Sequence, residues 1–401
     1  MPDSGAVLRC RRSMMARPYL GIDVVICRAN KIKLWTRQVQ TILITMNSEE
    51  VEMANTETVN LAVIGTGAWS ICIGNTIQNS NKVNLVTCYD SVAEKRSDYS
   101  SRFGCDQEAS YEDVLKRKDV DGVHLAIPNN LHAEYTLLAA EHGKHVFVEK
   151  PIANKIDEGR QMIAACQQAG VVLMVGHHLR RLTGIRKMKE LIDAGAIGDP
   201  IQVEGNYSQN LGFVLKPQDF RWRGDDSGCP AGSLMTMGIH HTDVFNYFFG
   251  PVKTAFSFFN KLYIPAPVED ITATVFQYEN GMLGYIGSNY ASPKAVWFYV
   301  YGTEANLLCT ITPPEIPFEE YLLWWQNVDR DTKLQIFEKG KTGSRDIAIS
   351  LGNPILEEIE EFAECIQTGE NPETDGEGAI AALALIRAAI ESANTGKPAV
   401  I

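Results

Sequence analysis

A short apolar strand, Val59–Ile64 (VNLAVI), runs directly into Gly65-Thr66-Gly67-Ala68-Trp69-Ser70, and residues 71–77 can continue as a helix. A strand that turns on glycines into a helix is the first half of a βαβ unit, so it commits this part of the chain to a layered α/β architecture. Gly65 permits the sharp turn. Gly67 leaves room for a pyrophosphate against backbone N–H groups, where the helix dipole favours anions. The third position is Ser70, a small residue that still allows close helix–strand packing. Alone this motif is weak. The next strand, 83–89, strengthens it because Asp90 stands at its end. That is about 20 residues beyond the glycine turn, where a carboxylate would hold an adenosine ribose 2′-OH. Asp90 would repel a 2′-phosphate, and Ser91 rather than Arg follows it, so NAD is expected in preference to NADP.

The alternation continues. A helix is predicted at 111–116, then a strand at 122–127 that stops at Pro128-Asn129-Asn130-Leu131-His132, then a helix at 133–142 ended by Gly143. The next strand carries Val146-Phe147-Val148 into Glu149-Lys150-Pro151. Proline cannot donate to a sheet ladder, so Pro128 and Pro151 each stop a strand at its carboxyl end. Asn154 is expected to cap a helix reaching Ala169. A strand at 171–175 then runs into Gly176-His177-His178-Leu179-Arg180-Arg181. This order predicts a doubly wound parallel sheet, with Asn129, His132 and Lys150 along one crevice.

The second half reads differently. An amphipathic helix at 184–194 precedes strand-like runs at 201–209, 253–259, 271–278, 282–289 and 296–301, with a hairpin signal at Glu279-Asn280-Gly281. Helices are expected at 354–367 and 376–394. The prediction is an α+β domain with a large, mostly antiparallel, open-faced sheet. Phe258, Tyr278 and Tyr285 are expected on its free face as an interface between copies. A helix starting near Gly232 would bring Thr236, His240 and Asp243 onto one face. The expected organisation is a basic, disordered extension over 1–57, a dinucleotide-binding domain over 58–176, and a substrate-binding and oligomerisation domain over 177–401.

A net charge of −12 argues against a nucleic-acid or anionic-membrane partner. Nine dispersed cysteines without a CxxC pair read as thiols of a reducing compartment, so a cytoplasmic location is expected. There is no HExxH, and no metal is expected. No stretch reaches the ~18 apolar residues of a membrane span. Arg11-Arg12 lacks the clean apolar run that an export signal needs.

Taken together, the order G-x-G-x-x-[small], Asp90, P-N-x-x-H, E-K-P, G-x-x-x-R and G-x-H-x-x-D resembles the glucose–fructose oxidoreductase / inositol dehydrogenase / rhizopine-catabolism (Gfo/Idh/MocA) family over about residues 58–401. The resemblance implies an NAD(P)-dependent oxidoreductase of sugars, cyclitols or related diols that works as a dimer or tetramer. It implies that Gly65, Gly67, Ala68 and Trp69 form the pyrophosphate turn and that Asp90 holds the ribose. Pro128, Asn129 and His132 would line the nicotinamide side, Glu149 would contact the cofactor, Lys150 would touch the reacting hydroxyl, and His240 would be the acid/base. One position departs: many members carry an aspartate four residues before that histidine, and here it is Thr236.

The chemistry agrees. Oxidising an alcohol sends a hydride to nicotinamide and a proton to a base; an imidazole can take the proton, and a lysine cation can stabilise the developing alkoxide. His178, Arg180, Tyr207, Trp222, Arg223, Thr236 and His241 are the candidate substrate contacts. Two rival readings are an NAD-dependent glycosidase using oxidation and elimination, and a non-catalytic dinucleotide or sugar sensor. The presence of both Lys150 and His240 disfavours the sensor.

Overall fold

The computed structural model describes residues 58–214, 220–264 and 266–401, together with three strands nearer the start of the chain. The chain divides into two units, 1–56 and 57–401. In the first, β1 (Asp23–Cys27), β2 (Lys31–Trp35) and β3 (Ile42–Ile44) pair antiparallel in that order. The rest of the predicted extension lies outside the described residues.

The second unit opens with β4 (Val59–Ile64), α1 (Ala68–Gln78), β5 (Val83–Tyr89), α2 (Ala93–Phe103), β6 (Asp106–Gln107), α3 (Tyr111–Lys116) and β7 (Gly122–Leu125). It continues through α4 (His132–Glu141), β8 (His145–Val148), α5 (Ile156–Ala169) and β9 (Leu173–Val175). All six strands are parallel, in the order β6-β5-β4-β7-β8-β9. Winding reverses between β4 and β7, so right-handed crossovers put helices on opposite faces and open a crevice at the carboxyl end of those two strands. The central strands are buried on both faces: Leu61, Val63, Val123, Leu125, Val146 and Val148 are all fully inaccessible.

After α6 (Thr183–Asp193), a nine-stranded sheet forms from β10 (Pro200–Ser208), β11 (Val252–Asn260), β12 (Ile271–Tyr278), β13 (Leu283–Asn289), β14 (Ala295–Gly302), β15 (Ala305–Ile311), β16 (Thr332–Glu338), β17 (Arg345–Ile347) and β18 (Ala399–Val400). Its order is β17-β16-β15-β14-β10-β13-β12-β11-β18, and every pair is antiparallel except β10 with β13. The hairpin between β12 and β13 turns at Gly281, whose φ of 87° suits glycine. Burial alternates strictly along β12, as expected of a sheet with one covered face. Helices Ile239–Phe249, Phe318–Trp324, Pro354–Thr368 and Gly376–Thr395 complete the unit.

Two expectations are corrected here. Tyr278 belongs to the covered face, buried with its hydroxyl donating to the Phe245 carbonyl at 3.4 Å. The free face instead carries Phe258, Val275 and Leu283, each more than half exposed. Asn154 does not cap α5. Its side-chain amide donates to the carbonyls of Ser227 (3.2 Å) and Gly228 (3.0 Å), tying a later loop to the segment just after Lys150.

Candidate active site

The glycine turn is built as its sequence demands. Gly65 has φ 84°, and a Cβ there would meet the Ala126 carbonyl oxygen at 2.5 Å, so the carboxyl ends of β4 and β7 come together only around glycine. Ser70 replaces the usual third glycine and makes use of its hydroxyl, which donates to the Gly65 carbonyl. Gly67 caps α1 with no side-chain partner, and a Cβ there would meet nothing within 4 Å. No acidic residue stands in the first turn of α1. Open space, free N–H groups and the positive end of a helix dipole fit a dinucleotide pyrophosphate. Asp90 sits beside this turn: its carboxylate accepts from the Thr66 N–H at 2.9 Å and the Thr66 hydroxyl at 3.2 Å. Asn129, at the end of β7, is buried with its Nδ2 unpartnered among the described residues. These features together fit a nicotinamide dinucleotide.

At the end of β8, Glu149 and Lys150 point into different surroundings. Glu149 is buried, accepts from Trp69 Nε1, and lies 3.4 Å from His124 Nε2. Burial works to raise its carboxyl, but His124, Lys150 and His178 outweigh that and hold it below the usual carboxylate range. Gly176 leaves room for it, since a Cβ there would sit 3.1 Å from Glu149 Oε2. Lys150 precedes a cis peptide bond to Pro151 and donates from Nζ to the Thr236 carbonyl at 2.8 Å. Burial, offset by Glu149 and reinforced by Arg223, lowers its ammonium to about 8.

The helix expected near Gly232 starts as a π turn, Leu234–Gly238, and continues as Ile239–Phe249. Widened turns of this kind recur at functional sites. His240 is buried beside His178, with ring centroids 4.8 Å apart. Burial first, then the charge of Lys150 and the neighbouring histidines, push His240 well below its ordinary value. His178 is pushed to about 3, mainly by burial, and its ring stacks on Trp69 at 5.5 Å. Trp325 and Tyr207 close the other side, with Trp325 5.2 Å from His178 and Tyr207 6.1 Å from His240. The structure thus gathers Trp69, Lys150, His178, Tyr207 and His240 around one site. Trp222 and Arg223 lie on the loop that Asn154 ties down.

Four expected contacts are used elsewhere. Arg180 is consumed by Asp243, through Nε at 3.0 Å and Nη2, and by the Glu373 carbonyl at 2.9 Å. The same pairing keeps Asp243 from serving His240. His241 faces the sheet, stacked on Phe298 at 4.0 Å with Nε2 3.1 Å from the Trp297 carbonyl. Adjacent helical positions point about 100° apart, which is why only one of the two histidines reaches the site. His132 is fully buried, its ring nitrogens 2.8 Å from the Pro151 carbonyl and 3.1 Å from the Ile127 carbonyl, so it braces the ends of β7 and β8. The Thr236 hydroxyl is engaged by Gly232 and Tyr290, and its carbonyl, not its side chain, meets Lys150. Sequence reading missed Trp325, Tyr290 and Gln326. The aromatic pair Trp324-Trp325 was the available signal for the first. Gln326 reaches back to α1, donating to Thr76 Oγ1 at 2.8 Å and the Cys72 carbonyl at 3.2 Å.

Comparison with known proteins decides the family. Residues 59–177 match the model of an oxidoreductase family with an NAD-binding Rossmann fold, GFO_IDH_MocA, and residues 185–308 match the GFO/IDH/MocA C-terminal domain. The chain belongs to the Gfo/Idh/MocA family. As a member it is an oxidoreductase with a nicotinamide-dinucleotide-binding domain. A Desulfitobacterium hafniense structure named as an NADPH-dependent oxidoreductase is 31% identical, with a TM-score of 0.80 over 86% of this chain and 98% of that one. The 1,5-anhydro-D-fructose reductase of Ensifer adhaerens is 26% identical over 79% of this chain and 91% of its own length. The 2,7-anhydro-N-acetylneuraminate hydratase of Mediterraneibacter gnavus is 36% identical, but over 48% of this chain and half of that protein. Among the described residues no helix is long and apolar enough to cross a membrane, and no cluster of three His, Cys, Asp or Glu side chains could hold a metal ion.

Proposed function

We propose that the chain transfers hydride between NAD and a CH–OH group of a sugar, cyclitol or related diol. The observation that carries this reading is the 2.8 Å bond from Lys150 to the Thr236 carbonyl, one helical turn before His240. It brings a lysine from the dinucleotide sheet to the histidine of the second domain. The relatives' names support the substrate class: they include the anhydrofructose reductase and a D-xylose 1-dehydrogenase of Haloferax volcanii, 27% identical over 72% of this chain. Gly65, Gly67 and the N-terminus of α1 would hold the pyrophosphate, and Asp90 the adenosine ribose. Asp90 favours NAD, because a 2′-phosphate would meet its charge.

A bound nicotinamide supplies the hydride acceptor. The chain's own residues do the rest. Lys150 stands as a cation beside the substrate hydroxyl and stabilises alkoxide character as the C–H bond weakens. His240, kept neutral by burial and by the charge of Lys150, accepts the hydroxyl proton and returns it in reduction. Trp325 and Tyr207 present flat faces to a sugar ring and exclude water. Glu149, fixed by Trp69 and His124, keeps Lys150 charged.

The free face of the nine-stranded sheet, with Phe258, Val275 and Leu283 exposed, is the surface through which we expect a homodimer or homotetramer to form. The unpaired, mostly buried thiols among the described cysteines suit a reducing, cytoplasmic setting.

The test is NADH formation across a panel of sugars, cyclitols and sugar acids, with NAD and NADP in parallel. Steady NADH with one of them supports the reading. Substrate consumption without net NADH would favour the second reading, transient oxidation followed by elimination, which the hydratase relative supports.

A further inference from the structure

We propose that Trp69 is a positioning residue that couples the dinucleotide turn to the sugar pocket: a cofactor seated on the turn fixes, through this indole, the side chains of Glu149 and His178. The proposal rests on the oxidoreductase reading above and adds to it how one half of the site readies the other.

Trp69 stands in the first turn of α1, directly after the cradle formed by Gly65 and Gly67. Its backbone N–H is one of the first-turn groups that a helix leaves without an intrahelical partner. The side chain leads away from the turn. Indole Nε1 donates to Glu149 Oε1 at 2.5 Å, and the ring stacks on His178 with centroids 5.5 Å apart and planes inclined by 26°. Glu149 follows β8 and His178 follows β9, whereas the turn follows β4. In the sheet order β4-β7-β8-β9, the ends of β4 and β8 are two strand spacings, about 10 Å, apart. The indole, the largest flat side chain, reaches across the end of β7 with an N–H to donate and a face to stack.

Both residues that the indole meets are buried, while Trp69 itself is half-buried. His178 is held by ring contacts: Trp69 against one face, Trp325 at 5.2 Å and 70°, and His240 at 4.8 Å and 64°. Neither of its ring nitrogens bonds to a described residue. Ring contacts are less directional than hydrogen bonds, so the plane of His178 follows the plane of Trp69. Glu149 has Trp69 Nε1 as its donor and His124 Nε2 3.4 Å away, and a buried carboxylate that loses a donor is strongly disfavoured. Both contacts depend on where the turn holds the indole. A pyrophosphate accepting from the first-turn N–H groups would fix the turn, and Trp69 with it. Coupling of this kind is reciprocal: a sugar bound at His178 would tighten the dinucleotide by the same factor.

The experiment follows the His178 ring by magnetic resonance in full-length protein isotope-labelled at histidine, with the signal assigned through His178→Gln. The probe is ADP-ribose, which occupies the turn with its pyrophosphate but carries no nicotinamide ring to disturb His178 directly. The expected result is a His178 signal that moves on saturation in the wild type. It should move less in Trp69→Phe, which keeps the stack but not the N–H, and not at all in Trp69→Leu, which keeps neither. ADP-ribose affinity should stay within about 3-fold in both variants, since the backbone N–H groups of the turn remain. In turnover the loss should appear as a ~5- to 20-fold rise in sugar KM for Trp69→Leu. An undiminished response in either variant, an unmoved signal in the saturated wild type, or loss of ADP-ribose binding in both variants would overturn the coupling. A His178 response without NADH formation from any sugar of the panel supports the coupling while sinking the oxidoreductase reading. NADH formation with an unresponsive His178 overturns the coupling alone.

Discussion

Lys150 Nζ donates to the main-chain carbonyl of Thr236 at 2.8 Å, joining the end of a dinucleotide-sheet strand to the π turn that leads into His240. Many family members place a carboxylate at this position. A neutral carbonyl orients an ammonium without adding the full attraction of an anion. Burial can then bring the Lys150 ammonium down to about 8, within reach of working pH.

Removing the lysine tests its role directly. Lys150→Ala should lower kcat by at least ~100-fold with NAD still bound, because an electrostatic stabiliser acts mainly in the transition state. Near-normal turnover would remove Lys150 from the mechanism.

The pH profile gives the sign. If Lys150 must be charged during oxidation, kcat/KM should hold steady through neutrality and fall as pH rises through about 8, where the ammonium loses its proton. Since His240 titrates well below neutrality, it should add no limb near pH 6.5. A rate that climbs through pH 8 would instead make neutral Lys150 the base.

Much of this site was legible in the sequence because its chemistry is carried at strand ends. Glycine, proline and aspartate at the ends of β4, β5, β7 and β8 have local reasons to stand there, so Gly65, Asp90 and Lys150 could be placed by counting. His240 and His178 followed from their place after a strand or on an apolar helix. What failed depended on tertiary partners or local phase. Arg180 looked like a pocket residue, but its partner Asp243 lies 63 positions away. The π turn shifts Thr236 relative to His240, whereas Asp243 shares the regular helix with His240 and is taken by Arg180. Thr236 acts through its backbone, which no side-chain motif encodes. β15 and β16 went unread because they flank the aromatic helix Phe318–Trp324, and Leu307-Leu308-Cys309 and Ile336-Phe337 break the apolar–polar alternation of their sequences.

The two glycines of the turn should behave differently. Gly67→Ala meets open space, so the fold should stand while NAD affinity drops by ~10-fold or more from the methyl group in the phosphate cradle. Gly65→Ala combines a positive φ with a backbone collision and should lower thermal stability even without cofactor. Dye-monitored melting and NAD titration of both variants separate these outcomes; equal melting temperatures would contradict the close approach to Ala126.

Cofactor choice is expected to turn on Asp90. Asp90→Ala should raise the NADP-to-NAD ratio of kcat/KM by ~10-fold or more, since it removes both the ribose partner and the repulsion of a 2′-phosphate. A ratio that does not move would assign selectivity elsewhere.

The buried histidines should make the fold acid-sensitive. Burial lowers His177 to about 4 and His178 and His241 to about 3, whereas unfolded histidine titrates near 6.5. Below that value the unfolded chain binds protons that the native state refuses. Stability therefore rises with pH across the window from about 3 to 6.5 and is lost as pH falls through it. The melting temperature should drop by at least ~3 °C per pH unit below pH 6, and His241→Gln should flatten that slope. A flat profile would mean these rings are charged in the native state.

The amide of Gln326 has a bearing on protein engineering. It plugs the C-terminal half of the chain into α1, where Thr76 and Cys72 receive it. A chimera cut after Gly176, at the apparent seam, would pair a foreign α1 with a glutamine that has nothing to hold, and the segment carrying Trp325 would lose that anchor. Grafts between relatives should therefore exchange α1 and the segment around Trp325 as one inseparable cassette, even though some 250 residues of sequence lie between them.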